Sequence, residues 1–249
     1  MTNEQNRTVL DGKLLEIISG LVTQPAPDPL LYQCRVTFDG VNLSGKALLE
    51  IGAGNGVMSA YAVIHGARRV VALEPETAGS TKGSISSIQQ IAQRLGGEIM
   101  AIHATSLQEY PPSKEKFDIV LLHDSVNHLD EADCMKLHYD KAARERYTEL
   151  FRKIVSMMRP GKLLLLSDCS RGNLYDKIGM SNPFVPQIEW QKHQSPEVWI
   201  KLLRPLGFDK MRLRWHVPYR LKRLGLLVGN RLANFFLTSH FHLMARYLP

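Results

Sequence analysis

Short apolar runs alternate with segments of helical periodicity through the middle of the chain. Five runs have the length of strands and are apolar along nearly their whole course. We predict strands at Ala47–Ile51, Arg69–Leu73, Ile99–His103, Phe117–Leu122 and Lys162–Ser167. Helical spacing predicts helices at Val57–His65, Ser84–Leu95 and Tyr139–Met158, the last one ended by Arg159-Pro160-Gly161. Apolar strands that alternate with helices are typical of a parallel sheet covered on both faces, so we expect an α/β fold.

The pattern differs on the N-terminal side of this core. Apolar spacing from Val9 to Ile18 predicts a helix that ends near Gly20. Three prolines that follow are expected to interrupt any regular structure: Pro25, Pro27 and Pro29. Because the alternating pattern starts only after this stretch, we expect an N-terminal extension over residues 1–44 and one main domain over residues 45–249.

The pattern also changes after the fifth predicted strand. Residues 169–194 have no clear period and mix aromatic with polar side chains. A loop this long inside a compact domain is usually functional or disordered, so we expect an insertion that selects a substrate; an ordinary crossover packed on the core is the alternative. Ser195 as N-cap and Pro196 at the first position predict a helix that runs to about Gly207. Two further strands are predicted, at Met211–His216 and Phe241–Tyr247.

Composition narrows the class of protein. Of the 249 residues, 44% are hydrophobic and 22% are charged, which is ordinary for a soluble globular protein long enough to bury its own core. The three cysteines, Cys34, Cys134 and Cys169, are widely spaced, which argues against a disulfide framework and for a reducing, cytoplasmic setting. The N-terminus leads into no signal-peptide apolar core, and no apolar run has the length of a transmembrane helix.

The formal net charge of +7 is unevenly distributed. Lys and Arg are concentrated in residues 201–249, where Asp209 is the only acid. Within this stretch, Tyr219–Ser239 places a basic flank beside apolar residues, which suits peripheral contact with a membrane surface. A helix packed on the sheet or in a dimer contact is the alternative, since glycines weaken a continuous amphipathic helix. We do not expect a nucleic-acid partner, because no recognised RNA-binding module is appended.

The first predicted strand leads into a glycine-rich turn, Gly52-Ala53-Gly54-Asn55-Gly56, that opens a helix. Such a turn lets ligand atoms approach the backbone, and ligands of open parallel sheets collect at the carboxyl ends of strands. The spacing disfavours NAD and FAD, because Val57 occupies the place of the third fingerprint glycine. Glu50 precedes the turn, where it would attract a cationic amino group. Glu74 ends the next strand, where a carboxylate accepts hydrogen bonds from ribose hydroxyls.

Glu50, the glycine turn and Glu74 together resemble the class I S-adenosylmethionine-dependent methyltransferase family. The resemblance covers roughly residues 45–168. It includes Phe117–His123, similar to the family's fourth strand, and Arg159-Pro160-Gly161, similar to its turn into strand five. It implies a Rossmann-like α/β fold with a doubly wound, mostly parallel seven-stranded sheet and an antiparallel last strand. It also implies an enzyme that uses S-adenosylmethionine as its cofactor.

The resemblance also implies which residues contact the cofactor. In that family the match to Glu50 helps hold the methionine amino group, the glycine turn accommodates the cofactor, and the match to Glu74 binds the ribose. The end of the fourth strand lies beside the methyl sulfonium. The family often has an Asp after strand three that holds the adenine amino group; here Thr105, Ser106 or backbone groups would take that place. The implied cofactor-binding residues are Glu50, Gly52, Ala53, Gly54, Asn55, Gly56, Glu74, Pro75, Thr105, Ser106 and His123.

Candidate catalytic residues follow the fourth predicted strand. An oxygen or nitrogen nucleophile usually needs a base, and histidine titrates near neutrality. We therefore expect His123 or His128 as general base, with Asp124 either orienting a histidine or capping a helix; purely structural histidines are the alternative. His193 is the second candidate base, should its loop fold over the cleft. The predicted reaction is methyl transfer to oxygen, and with less support to nitrogen, of a small metabolite or of a sugar or glycan.

Other functions stay open at this point. A metal-dependent variant would hold Mg²⁺ with Asp124 and Asp168, but Cys169 replaces the second acid that is usual there, so no metal ligands are predicted. A non-catalytic S-adenosylmethionine-binding protein would keep the cofactor fold without turnover. The remaining alternatives are a methyltransferase acting on a lipid-linked or nucleic-acid substrate and, from another class, an NAD(P)-dependent oxidoreductase.

Overall fold

The computed structural model describes residues 3–22, 26–76, 83–112 and 114–249. The described strands are β1 (Ala47–Ile51), β2 (Arg69–Leu73), β3 (Met100–His103), β4 (Phe117–His123), β5 (Met158–Cys169), β6 (Phe208–Trp215) and β7 (His240–Tyr247). The described α-helices are α1 (Asn3–Ile18), α2 (Pro27–Thr37), α3 (Val57–Ile64), α4 (Ser84–Arg94), α5 (Glu131–Cys134), α6 (Lys141–Ser156), α7 (Leu174–Lys177), α8 (Pro196–Leu203) and α9 (Arg231–Phe236). The strands form a seven-stranded sheet in the order β3-β2-β1-β4-β5-β7-β6.

The strands of the first half of the sheet are parallel, as their apolar character predicts. β1 pairs with β2 and with β4, and β2 pairs with β3, all in parallel register. All five residues of β1 are buried, which is why this strand is apolar throughout except at Glu50. The bounds of β1 and β2 agree with the prediction, and those of β3 and β4 differ from it by one residue at one end.

The other half of the sheet is antiparallel around β7. This strand pairs antiparallel with β5 on one side and with β6 on the other. The register places His240, the first residue of β7, opposite Cys169, the last residue of β5. A mostly parallel sheet with an antiparallel last strand confirms the predicted Rossmann-like α/β fold class.

Residues 1–121 and 122–249 form two compact units. In the first unit, the side chains of Leu48 on β1, Val70 on β2 and Ile88 on α4 are completely buried. In the second unit, an aromatic cluster joins α6 to α8: the ring of Trp199 lies 5.6 Å from that of Tyr147 and 6.2 Å from that of Phe151. The expected division into an extension over residues 1–44 and a main domain stays a prediction.

The expectation that the early prolines interrupt regular structure is wrong, because two of them lie in the helix α2. It begins at Pro27 and has Pro29 in its first turn, whereas Pro25 lies outside the described residues. The first N–H groups of a helix have no intrahelical partner, so the N–H that proline lacks is not missed there. The fixed φ of proline is also close to the helical value. A cluster of prolines can therefore begin a helix as well as end one.

The strand β5 is longer than predicted. It begins at Met158 and includes Pro160 and Gly161, which we expected to form a stop signal and a turn. The ladder between β5 and β7 covers only Leu163–Cys169, so Pro160 lies before it and need not donate an N–H to β7. The preceding helix α6 accordingly ends at Ser156, two residues before its predicted end.

The C-terminal elements agree with the prediction in position but differ in detail. The helix α8 begins at Pro196 as predicted, although Ser195 makes no side-chain capping hydrogen bond. It ends at Leu203, and a short 3₁₀ turn continues it to Leu206. Tyr219–Leu227 forms a 3₁₀ segment that is broken at Gly225, so no continuous amphipathic helix exists there. Among the helices of the described ranges, none combines the length and the hydropathy needed to cross a bilayer.

We predict that Gly56→Ala lowers the free energy of unfolding by about 2–4 kcal/mol. Gly56 has a φ of +82°, and a Cβ there would lie 2.5 Å from Cγ1 of Ile88, a fully buried side chain. Gly54→Ala is the matched control, because Gly54 also has a positive φ but no atom within 4 Å of the added Cβ. It should cost only about 1–2 kcal/mol, and denaturant unfolding measures both values.

The contact with Ile88 can be tested separately. In an Ile88→Ala background, Gly56→Ala should cost less than in the unaltered protein, because Cγ1 and Cδ1 of Ile88 have been removed and only its Cβ stays, 3.1 Å from the added atom. Equal losses for the two glycine variants in the unaltered background would contradict the clash.

Candidate functional site

The glycine turn after β1 has a backbone shape that glycine adopts more readily than other residues. Gly52, Gly54 and Gly56 have φ angles of 73°, 52° and 82°. The amides of Gly52 and Ala53 both donate to the carbonyl oxygen of Leu73, at 2.9 and 3.0 Å. The turn is therefore tied to the end of β2. The space beside Gly54 is open, since an added Cβ would meet no atom within 4 Å.

Glu74, directly after β2, fixes the same turn from the other side. Its side chain is buried, and Oε2 accepts a hydrogen bond from the amide of Gly54 at 2.7 Å. Oε1 accepts from the amide of Glu76 at 3.1 Å. Each carboxylate oxygen has a second lone pair, so Glu74 can hold the turn and still accept hydrogen bonds from hydroxyl groups of a ligand.

Glu50 lies in β1, next to the turn, and is only 2% exposed. Its Oε2 accepts a hydrogen bond from the hydroxyl of Ser59 on α3 at 2.5 Å. Burial, with a smaller contribution from the nearby charge of Glu74, raises the pKa of Glu50 to about 8. No cation of the described residues contributes to this shift. A cationic group brought to Glu50 would therefore offset the cost of burying its carboxylate.

The stretch after β3 forms a local turn around Glu109. Its Oε2 accepts hydrogen bonds from the amide and the hydroxyl of Ser106 at 3.4 and 3.1 Å, and its own amide donates to Ser106 Oγ at 3.2 Å. The hydroxyl of Thr105 lies 3.5 Å from the same carboxylate oxygen. Thr105 and Ser106 are thus held by Glu109, which the sequence does not single out. Asn55 and Pro75, two further predicted contacts, are half-buried.

The ring of His123, the last residue of β4, has protein groups near both nitrogens. Nδ1 lies 2.6 Å from the hydroxyl of Ser167, and Nε2 lies 3.6 Å from Oδ2 of Asp124. Burial lowers the pKa of His123, so its ring is neutral at neutral pH. A neutral ring with both nitrogens facing protein groups is poorly placed to take a proton from a ligand.

Asp124 orients a histidine, but one that is distant in the sequence. Its Oδ1 accepts a hydrogen bond from Nε2 of His240 at 2.6 Å. Partial desolvation alone would raise the pKa of Asp124, whose side chain is 45% exposed, yet His240 and His123 hold that pKa well below its ordinary value. Burial alone would lower the pKa of His240, yet Asp124 raises it. The cap of the following helix α5 is Asp130, so capping is not the role of Asp124.

His193 and Asp168 form a second pair of imidazole and carboxylate. Asp168 is 1% exposed, and its Oδ1 lies 2.8 Å from Nδ1 of His193. The same oxygen accepts from the amide of Cys169 at 2.8 Å, and burial raises the pKa of Asp168. A carboxylate at Nδ1 makes this the protonated nitrogen and leaves the lone pair on Nε2. The side chain of His193 is 15% exposed, so the ring is accessible from solvent.

The structure does not bring His128 to these groups. Its side chain is 43% exposed, and Nδ1 pairs with Oε1 of Glu131 at 2.6 Å. Lys192 contacts the same carboxylate at 3.0 Å. His128 therefore lies at the surface beside the charged side chains of Glu131 and Lys192, in contrast to the buried surroundings of His123.

Three functional candidates near Asp124 are missed by reasoning from sequence: His216, His240 and His242. The ring of His216 lies 5.2 Å from that of His240 and 5.7 Å from that of His242. Burial lowers the pKa of His216 to about 3. The alternation His240-Phe241-His242 is the signal that could have been used, because it places two histidines on one face of a strand.

The C-terminal segment that we considered for membrane contact has exposed apolar side chains. Leu227 is 78% exposed and Leu232 is 72% exposed. Lys222 lies close by in the same segment, with its Nζ 4.0 Å from the ring centre of Tyr219. Membrane contact through this segment stays a prediction.

Comparisons with known proteins agree with this architecture. The model of the methyltransferase-domain family matches residues 33–213. No curated protein matches the sequence significantly. The S-adenosylmethionine-dependent methyltransferase of Mesorhizobium loti has a similar structure, with 13% identity and a TM-score of 0.57 over 88% of this chain and 97% of that chain. That of Aquifex aeolicus has 12% identity and a TM-score of 0.56 over the whole of both chains.

A third similar structure is phosphoethanolamine N-methyltransferase 1 of Haemonchus contortus, in complex with phosphoethanolamine and S-adenosylhomocysteine. It is 16% identical, with a TM-score of 0.61 over all of this chain and 50% of that chain. At these identities the similarity shows the fold.

We predict that Glu50 makes the stability fall as pH rises from about 4.5 to about 8. Its pKa is raised from 4.5 to about 8 in the folded protein, so the stabilisation is full below the unfolded value and is lost as pH rises toward 8. Between pH 5 and pH 8.5 this loss amounts to at most about 4 kcal/mol. Glu50→Gln should lack this loss, as measured by denaturant unfolding at both pH values.

The matched control is Glu16→Gln, because Glu16 is an exposed glutamate on α1. The free energy of unfolding of Glu16→Gln should change with pH in the same way as that of the unaltered protein. Parallel pH profiles for Glu50→Gln and the unaltered protein would contradict the raised pKa of Glu50.

Proposed function

We propose that this chain, which belongs to the S-adenosylmethionine-dependent methyltransferase family, methylates an oxygen of a small metabolite or sugar with His193 as general base. Membership makes the chain an enzyme that uses S-adenosylmethionine. What we propose beyond this membership is the methyl acceptor and the general base. The main support is the buried carboxylate of Asp168, 2.8 Å from Nδ1 of a solvent-accessible His193.

The residues at the ends of β1 and β2 fit the cofactor in charge and in space. When bound, S-adenosylmethionine supplies an electrophilic methyl group on a positively charged sulfur. Glu50 is a buried carboxyl group that receives no help from a described cation, and the amino group of the methionine part is a cation of the right kind. Glu74 retains lone pairs for ribose hydroxyls. The open space beside Gly54 lets a ligand approach the backbone of the turn.

His193 is better placed to act as a base than His123 or His128. Asp168 accepts a hydrogen bond from Nδ1–H, which leaves the lone pair of Nε2 to accept a proton from the substrate. The same carboxylate stabilises the imidazolium that results, as in a catalytic triad. His123 has protein groups near both ring nitrogens, and His128 pairs with Glu131 at the surface. Both residues are therefore less suited to the role that we predicted for them.

An oxygen acceptor follows from the need for such a base. A hydroxyl group must lose a proton as it is methylated, and its own acidity is too weak for this to happen unaided near neutral pH. A neutral amine already carries a free lone pair and depends less on an oriented imidazole. His193 lies just after the 3₁₀ turn Trp190–Lys192, in the segment where we expect substrate selection, and Trp190 anchors this turn by its burial. These features favour a small hydroxylated acceptor.

We predict that His193→Asn lowers kcat by about 10²–10⁴-fold while leaving the Kd for S-adenosylmethionine unchanged. The asparagine amide keeps a donor facing Asp168 but offers no base. Calorimetry should give one cofactor per chain for the unaltered protein and for the variant. Turnover is measured as S-adenosylhomocysteine formation with a panel of small sugars and hydroxylated metabolites, together with amines of matched size.

The control is His138→Asn, because His138 is an exposed histidine whose Nδ1 contacts Arg171. It should retain the turnover of the unaltered protein. Equal kcat for His193→Asn and His138→Asn would remove His193 as the base. Turnover with amines alone would remove the oxygen acceptor, and cofactor binding without turnover across the panel would favour a non-catalytic binding protein.

A further inference from the structure

Three histidines converge where the end of β6 meets the start of β7. His216 directly follows β6, and His240 and His242 lie two residues apart on one face of β7. One ring nitrogen from each of the three lies within 4.8 Å of the others. All three belong to the unit formed by residues 122–249.

The spacing of two of these nitrogens matches a shared metal ion better than a hydrogen bond. Nε2 of His242 and Nδ1 of His216 are 3.4 Å apart, which is long for a nitrogen–nitrogen hydrogen bond. Two imidazole nitrogens that each lie about 2.0–2.1 Å from one tetrahedral zinc ion are separated by about 3.3–3.4 Å. The two rings therefore already have the separation that a common ion would require.

His240 supplies an independent observation. The residue is buried, with 9% of its surface exposed, and its Nδ1 has no hydrogen-bond partner within the part of the chain that the structure describes. A buried polar atom without a partner is rare and destabilises the fold, so it calls for a ligand. Nε2 of the same ring is bonded to Asp124, which leaves Nδ1 as the nitrogen for that ligand. The rings of His216 and His242 lie 5.2 and 5.0 Å from that of His240.

The pair of Asp124 and His240 is the arrangement that supports a metal-binding histidine. In such sites a carboxylate accepts a hydrogen bond from the N–H of the outer ring nitrogen, fixes the tautomer and makes the inner nitrogen a stronger ligand. Asp124 accepts from Nε2 of His240 at 2.6 Å. Its uncommon positive φ of 51° aims the side chain from the loop after β4, and its amide donates to the carbonyl of Ser167.

We propose that His216, His240 and His242 bind one divalent transition-metal ion, with Zn²⁺ the best match, and that Asp124 positions His240 as a ligand. Imidazole nitrogens suit zinc, copper, iron and nickel, whereas magnesium and calcium prefer oxygen. Three protein ligands leave a fourth coordination position for water or for an oxygen of another molecule. This site differs from the Mg²⁺ variant considered from the sequence, in which Asp124 and Asp168 would be direct ligands.

The half-buried position of His216 gives the ion a route from solvent and makes this histidine the best one to replace. The full chain is stripped with a chelator and titrated with ZnCl₂ by calorimetry. We expect one Zn²⁺ per chain, and Co²⁺ in its place should give the absorption bands of a tetrahedral site with nitrogen ligands. His216→Gln should weaken zinc binding by at least about 100-fold, and Asp124→Asn by about 10–100-fold with the stoichiometry kept.

The matched control is His138→Gln, which removes an exposed histidine outside the cluster and should leave zinc affinity unchanged. Zinc should also raise the Tm of the unaltered protein and of His138→Gln but not that of His216→Gln. Equal zinc affinity for His216→Gln and His138→Gln would overturn the proposal. The Co²⁺ spectrum is read on the unaltered protein, so the absence of tetrahedral bands would overturn it even if the variants fail to fold.

Discussion

Burial of ionisable side chains at the ends of the strands is the constraint on which the rest of the structure depends. A carboxylate or an imidazolium removed from water is costly unless a partner compensates for it. Glu74 meets this requirement with two backbone amides, and the buried His240 meets it with the carboxylate of Asp124. Asp168 is paired with His193 through only one of its oxygens. Glu50 accepts a hydrogen bond from a serine hydroxyl, but no described cation compensates for its burial. A positively charged ligand would therefore stabilise this carboxylate more than the others.

The parallel half of the fold could be predicted because its signals are local. The bounds of β1 and β2 follow from uninterrupted apolar runs between turn residues, and the glycine turn follows from spacing. Pro27 was misjudged because the same residue type begins helices and ends them, and the choice depends on the residues that follow. The prediction that Pro160 acts as a stop signal is wrong for a related reason, because a proline is tolerated in β5 before the ladder with β7 begins.

Individual polar residues of the candidate site could be predicted from motifs and strand ends, but the pairings between residues that are distant in the sequence could not. Asp124 and His123 are neighbours, and both were singled out. The partner of Asp124 is 116 residues away, and the pairing arises because β7 runs antiparallel to β5 and begins beside that strand's end. The pairing of His193 with Asp168 likewise depends on how an irregular segment folds, which periodicity does not encode. Long-range contacts of this kind require the three-dimensional fold.

The resemblance to the family and our choice of methyl acceptor depend on different parts of the chain. The residues that we propose for the cofactor lie in β1, β2 and the turns after them, and the resemblance to the family depends on them. The two imidazole–carboxylate pairs and the three-histidine cluster lie in residues 122–249. One similar structure is an N-methyltransferase of phosphoethanolamine, which illustrates that a shared fold carries different acceptors. The acceptor must therefore be sought through the chemistry of the second unit.

The central claim is that the buried carboxyl group of Glu50 recognises the amino group of the cofactor. The most direct test is a ¹³C NMR titration of the Glu50 carboxyl carbon in the free protein and in its complex with S-adenosylhomocysteine, assigned with Glu50→Gln. We predict a pKa of about 8 in the free protein and a fall toward the ordinary value of 4.5 in the complex. The same pKa in both states would contradict the claim.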